Sequence, residues 1–137
     1  LCDWHAKKFV RPIFRDIIVP FDENGILEAV MLYLATRFMD GYWHSIYARI
    51  DIVTSDSDFI RKCKTVDDYN RFTNADILKP SVEIQSETTA TVSFAAWGHY
   101  GLNHWKLKVI KDGESVRVIK DDDSIKDILH YKPRFVV

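Results

Sequence analysis

The stretch from Ser81 to Lys120 constrains the fold more than any other part of this chain, because its apolar side chains recur at every second position. The two clearest alternating sets are Ala90, Val92, Phe94 and Ala96, followed by Trp105, Leu107 and Val109. Successive side chains of a strand point to opposite faces, so this period predicts strands with one face toward a core and the other toward water. The predicted strands are Val82–Gln85, Thr89–Trp97, His104–Ile110 and Val116–Lys120.

Short connections join these four predicted strands. The strongest turn signal is Asp112-Gly113, because glycine supplies the positive φ that a tight hairpin needs. Strands joined by such short connections run antiparallel, so the stretch predicts a meander. One face of that meander is apolar, and another element of the chain must cover it.

A helix that follows the turn at Asp22–Gly25 and runs to about Met39 is the predicted cover. A side-chain oxygen of Asp22 or of Asn24 can accept hydrogen bonds from the free amides of its first turn. Gly41 is the natural stop, since glycine tolerates the left-handed conformation after a last helical turn. The apolar residues recur at helical spacing: Ile26, Leu27, Val30, Met31, Leu34 and Phe38.

The remaining predicted elements are shorter. They are a half-buried strand from Ser45 to Thr54, two short helices over Phe59–Lys64 and Thr65–Phe72, and a last helix over Ile125–Tyr131. Ser124 can cap that last helix, and the like-charge run Asp121–Asp123 before it is most simply a solvated loop. The first 21 residues fit either a short strand or a short leading helix.

Segregated helices and strands indicate the α+β class, and a length of 137 residues indicates a single domain over residues 1–137. The predicted architecture is one long N-terminal helix packed on a curved antiparallel sheet, with short helices. Over about residues 22–120 this element order resembles the cystatin-like and NTF2-like cone folds. The resemblance implies a pocket between helix and sheet, in a fold that serves enzymes, ligand-binding domains and interaction modules alike.

Composition bears on the partners of the chain. The 19 basic and 20 acidic residues give a net charge of -1, without the basic excess of a nucleic-acid-binding protein. No apolar run approaches the roughly 18 residues of a membrane span. Cys2 and Cys63 are too few for a disulfide framework. They could pair, which would imply an oxidising compartment, or be two unrelated thiols.

Histidines and carboxylates are the candidates for acid–base chemistry. His44 and His104 each stand at the start of a predicted strand, and a neutral imidazole can transfer a proton near neutral pH. A general acid–base pair would combine one of them with Asp40 or Asp51. A zinc site needs three or four ligands at fixed geometry, and the sequence has no such pattern, so neither a metal nor a cofactor is predicted.

Aromatic residues gather at predicted strand ends and around the Gly98–Gly101 loop. The predicted binding residues are Tyr42, Trp43, Trp97, His99, Tyr100 and Trp105. Such a patch could bind a small apolar ligand or a protein partner, where tryptophan and tyrosine are favoured. The alternative is a core that is closed by its own aromatic side chains.

Three functional hypotheses follow. The leading one is a non-catalytic binding or interaction domain that uses a pocket mouth and the aromatic loop to bind a protein or a small ligand. The alternative is a small-pocket enzyme, a lyase, isomerase or hydrolase, that uses a His–Asp pair. The third is a structural domain that forms a homodimer through its exposed sheet face.

Overall fold

The computed structural model describes residues 18–37, 50–55, 63, 67, 79–98 and 101–130. In this part of the chain, the helix α1 (Glu23–Arg37) packs on a strongly curled antiparallel sheet that forms a half-barrel. The six strands of the sheet are β1 (Asp51–Ile52), β2 (Ser81–Ile84), β3 (Thr89–Gly98), β4 (Gly101–Asp112), β5 (Ser115–Ile119) and β6 (Ile125–His130). The α+β class predicted from the sequence is therefore confirmed.

Two long strands form the centre of the sheet. β3 and β4 pair along their full length, from Thr89 opposite Ile110 to Gly98 opposite Gly101. The other edge of β3 carries β1 and β2 one after the other, and the other edge of β4 carries β6 and β5 in the same way. Each long strand is thus flanked on its far side by two short strands.

The predicted meander is confirmed as β2 to β5, each strand within a few residues of its expected bounds. Gly113 has the positive φ, 65°, that its turn was expected to need. The alternating apolar residues of β3 and β4 are buried on the face that packs against α1, which we call the inner face. The opposite face, which we call the outer face, carries the intervening residues of both strands.

The helix predicted over Ile125–Tyr131 is wrong, because residues 125–130 form strand β6. β6 pairs with the first part of β4, with Leu102 opposite Leu129 and Asn103 opposite Asp127. This register skips one residue of β6 and forms a β-bulge. The bulge lets two consecutive residues near the end of β6 pack on one cluster, so the apolar spacing of the strand resembles that of a helix.

Ser124 closes a turn between β5 and β6 and does not cap a helix. Its Oγ accepts a hydrogen bond from the Asp121 amide and donates one to Asp121 Oδ1, both at 2.9 Å. The Lys106 amide of β4 donates to the Ser124 carbonyl at 2.7 Å. This bond to Lys106 lies between the part of β4 that pairs with β6 and the part that pairs with β5.

The two short helices predicted between Phe59 and Phe72 lie outside the described residues, apart from Cys63 and Asp67. α1 is the one helix whose bounds the structure gives in the described part of the chain, although Asp67 is also helical and Cys63 is not. The expectation of one long helix with several short ones is therefore confirmed only for the long one. No helix among these residues has both the length and the apolar character that crossing a membrane requires.

Asp22 is the residue that caps α1. The Gly25 amide donates to Asp22 Oδ1 and the Ile26 amide donates to the Asp22 carbonyl, both at 2.9 Å. These bonds satisfy donors of the first turn that have no partner inside the helix. The predicted end of the helix, between Met39 and Gly41, lies outside the described residues.

The main core lies between α1 and the inner face of the sheet. Phe94 of β3 and Trp105 of β4 stack there with ring centroids 5.7 Å apart and an interplanar angle of 14°. The buried residues are Ile26, Ala29, Val30 and Leu34 of α1 with Ala90, Val92, Phe94, Ala96, Trp105, Leu107, Val109 and Val116 of the sheet. α1 is therefore the cover that the sequence predicted for the apolar face.

A second apolar cluster lies on the outer face, at the end of the sheet where β3 turns into β4. Its buried members are Val53, Ala95, Trp97, Leu102 and Leu129. Cys63 and Ile128 pack against them. The expectation that the second set of side chains faces water is therefore wrong at this end of the sheet.

Candidate functional site

The structure describes four of the residues that the sequence proposed for a site. Asp51, Trp97, His104 and Trp105 belong to β1, β3 and β4. The other six, Asp40, Tyr42, Trp43, His44, His99 and Tyr100, lie outside the described residues. The choice between a Cys2–Cys63 pair and two unrelated thiols is not tested, because Cys2 lies outside the described residues.

Trp97 and Trp105 lie on opposite faces of the sheet. Trp105 belongs to the inner core, Trp97 belongs to the outer cluster, and the two are 3% and 4% exposed, respectively. β3 and β4 thus stand between the two indoles. The described residues bring neither indole to the surface, and both contribute to core packing.

His104 lies on the outer face of β4 and is half-buried. Lys126 of β6 is directly opposite His104, and Lys106 follows two residues later on the same face of β4. Burial lowers the pKa of His104, and the positive charges of Lys106 and Lys126 lower the pKa further. The imidazole is therefore neutral near neutral pH, where it can accept a hydrogen bond.

The structure does not bring His104 into contact with Asp51. Asp51 pairs with Trp97 and His104 pairs with Ala95, so β3 lies between the two residues. Strand spacing places their Cα atoms about 12 Å apart. The causes that set the pKa of His104 include no carboxylate. Among the described residues, the predicted His–Asp pair is therefore not assembled.

A metal site has no support in the described part of the chain. No three His, Cys, Asp or Glu side chains there lie close enough together to hold a metal ion.

A row of cations on the outer face is a feature that the sequence reasoning missed. Lys106 and Lys108 follow each other on the outer face of β4, Lys126 stands beside His104, and Arg117 stands beside Ile110. The alternation of β4 indicates the first two of these positions. Lys126 could not be placed beside them, because its segment was predicted as a helix.

The side of α1 that faces away from the sheet is the second feature of note. Met31 is 54% exposed and Leu32 is 43% exposed, although neighbouring positions of the same helix are fully buried. Together with Glu28 and Ala35, which are also exposed, they form a stripe at helical spacing. We call these four residues the α1 outer stripe.

No protein-family model, no curated protein and no solved structure matches this chain.

Proposed function

We propose that this protein is a non-catalytic interaction domain that binds a protein partner through the α1 outer stripe. The observation that carries the proposal is the exposure of Met31 and Leu32 on a helix whose opposite side is already buried in the core. A surface helix normally presents polar side chains to water, so an apolar outer side indicates a second packing surface.

The chemistry of the stripe supports a protein partner. Methionine is unbranched and polarisable, adapts to irregular surfaces, and is enriched at interfaces. Glu28 at one end of the stripe gives the apolar centre a polar boundary. Ala35 at the other end adds only a small side chain beside it. We expect the partner to present an apolar groove or helix that covers Met31 and Leu32.

The aromatic loop that the sequence predicts between β3 and β4 is a second candidate binding surface, and its two central residues lie outside the described residues. Gly98 pairs with Gly101, so the connection consists of His99 and Tyr100 alone. Tyrosine combines an apolar ring with a polar tip, which suits a partner surface or a small apolar ligand at the mouth of a pocket. Tyr100→Ala therefore belongs in the same binding experiment as the helix variants.

The experiment begins with a photo-crosslinking amino acid placed at position 31 in the full chain, produced in its native cells. The same crosslinker at position 24, which is exposed on the same helix, is the control. A protein captured at position 31 and not at position 24 is then purified and its affinity for this chain is measured directly.

The decisive comparison is between M31K/L32K and I84K. Ile84 is 47% exposed on β2, so it provides the same apolar-to-lysine change at similar exposure outside the α1 outer stripe. Burying the rest of Met31 and Leu32 contributes about 1 kcal/mol each, so the double variant should lose at least about tenfold in affinity. I84K should retain the wild-type affinity for the captured partner. An undiminished affinity of M31K/L32K for the captured partner would falsify the proposal.

A further inference from the structure

The outer face of the sheet carries a line of positive charge. Four cations follow the outward positions of β4 from His104 to Ile110. Lys106 and Lys108 are on β4 itself, Lys126 of β6 is opposite His104, and Arg117 of β5 is opposite Ile110. Outward positions of a strand are about 6.8 Å apart, so the line is roughly 20 Å long. The three lysines are exposed, which leaves their ammonium groups accessible to a partner.

Three carboxylates of the described residues also lie on the outer face: Asp51 opposite Trp97, Glu83 opposite Thr91, and Asp112 near the end of β4. Arg117 has an ion pair with Asp112 at 4.0 Å, in which both side chains are exposed. No carboxylate of the described residues forms an ion pair with Lys106, Lys108 or Lys126. Burial lowers the pKa of His104, and the charges of Lys106 and Lys126 lower it further, as a positive potential at this face would.

Hydroxyl groups run parallel to the lysines on β3. Ser93 is opposite Lys106 and Thr91 is opposite Lys108, on the same outer face. Gln85 Nε2 donates to Thr91 Oγ1 at 2.7 Å, so the Thr91 hydroxyl can direct its own hydrogen toward a bound acceptor. The face thus combines ammonium groups with hydroxyl donors, the groups that carboxylates bind.

We propose that this face binds an acidic segment of a partner protein in extended conformation. Alternate side chains of an extended chain repeat about every 6.8 Å, which equals the spacing of Lys106 and Lys108 along β4. Carboxylates at alternate positions would therefore meet successive lysines without distortion. The surface is distinct from the α1 outer stripe, because α1 packs on the inner face of the same sheet.

An acidic polypeptide suits this face better than a single-stranded nucleic acid. Single-stranded nucleic acids are held by a basic track together with aromatic rings on which the bases stack. Trp97 is the aromatic residue that the described strands place on the outer face, and it is 4% exposed in the apolar cluster. The face offers charge and hydroxyl groups but no exposed ring among the described residues.

The test uses the full chain and a synthetic peptide of alternating glutamate and threonine, with affinity measured calorimetrically at low ionic strength. K106E should weaken binding about fivefold, because it removes one attraction and adds a repulsion. K111E is the matched control. Lys111 is on the same strand and pairs with Val116, a core residue, so its side chain leaves the opposite face of β4. The affinity of K111E for the peptide should differ from that of the wild-type protein by less than about twofold.

A second readout is the pKa of the His104 imidazole, followed by NMR with H104Q used to assign the signal. Peptide carboxylates placed among the lysines would stabilise the imidazolium and should raise this pKa on binding. K106E should raise it without peptide, and K111E should leave it unchanged. A merely structural effect of K106E on the fold would not reproduce the peptide-induced rise in the wild-type protein.

Four outcomes would overturn the proposal. Equal losses for K106E and K111E would mean that the binding depends on net charge and not on this face. Tighter binding of oligothymidylate at the same charge would assign the face to nucleic acid. Equal affinity for a peptide with the same glutamates in one block would exclude the extended register. A homodimer that K106E dissociates would make a second copy the occupant.

Discussion

Gly101 is the residue at which the geometry of the sheet leaves least freedom. Its φ of 140° lies in a region that residues with a side chain rarely adopt, and an added Cβ would overlap the carbonyl oxygen of Leu129 on β6. Gly101→Ala should therefore force β4 and β6 apart and lower the free energy of unfolding by at least about 2 kcal/mol. The measurement is equilibrium denaturation in urea.

Gly98 is the matched control for that prediction. It pairs with Gly101 across the same turn, but the nearest atoms to an added Cβ are 4.0 Å away. Gly98→Ala should therefore lower the free energy of unfolding by less than about 1 kcal/mol. Similar losses for the two variants would show that the close approach of Gly101 to β6 does not control stability.

At the scale of elements, the sequence alone was sufficient to predict strands in which apolar residues recur at every second position. β3 and β4 were predicted because each has one face buried throughout, so the period of two is visible in the sequence itself. β6 was not, because its bulge at Ile128 shifts the alternation and leaves apolar residues at Ile125, Ile128 and Leu129. This is also the spacing of one helical face, and only pairing with β4 decides between them.

The candidate site was harder to predict because it depends on register between strands. Trp97 and Trp105 are near each other in sequence, yet the pairing of Gly98 with Gly101 puts them on opposite faces. That pairing could have been inferred from the two glycines that flank a two-residue turn. The position of Lys126 beside His104, on the same face as Lys106, could not be inferred, since it requires β6 to be a strand.

The start of α1 gives the prediction that belongs to this scale. Asp22 and Asn24 were equal candidates in the sequence, and the structure gives the capping bond to Asp22. Asp22→Ala should lower the free energy of unfolding by about 1 kcal/mol, because it leaves the Gly25 amide without its acceptor. Asn24→Ala should change it by less than about 0.5 kcal/mol. Urea denaturation of both variants decides the assignment, and a larger loss for Asn24→Ala would contradict it.

Across the whole molecule, β3 and β4 form one wall shared by two apolar clusters. Alternate residues of β3 serve each cluster, as Phe94 does on the inner face and Ala95 on the outer face. A slip of one residue in the pairing of β3 with β4 would exchange the two sets of side chains. The inner core and the outer cluster are therefore coupled through one register, and neither can keep its packing if that register is lost.

This coupling predicts that both faces unfold in one cooperative transition. Leu102 and Leu107 lie on the same strand and are fully buried, Leu102 in the outer cluster and Leu107 in the inner core. Leu102→Ala and Leu107→Ala should each lower the free energy of unfolding by about 2–5 kcal/mol. In each variant, the near-UV and far-UV circular dichroism transitions should coincide.

Separate near-UV and far-UV transitions would contradict this coupling. The clearest contradiction would be a Leu102→Ala variant in which only the near-UV transition shifts. Such a result would mean that the outer cluster and whatever covers it unfold independently of the helix and the inner core, as two domains would. Coincident transitions that both variants shift would instead support the single domain predicted from the length of the chain. They would also mean that a partner bound on either face stabilises the whole sheet, because the two faces share the same two strands.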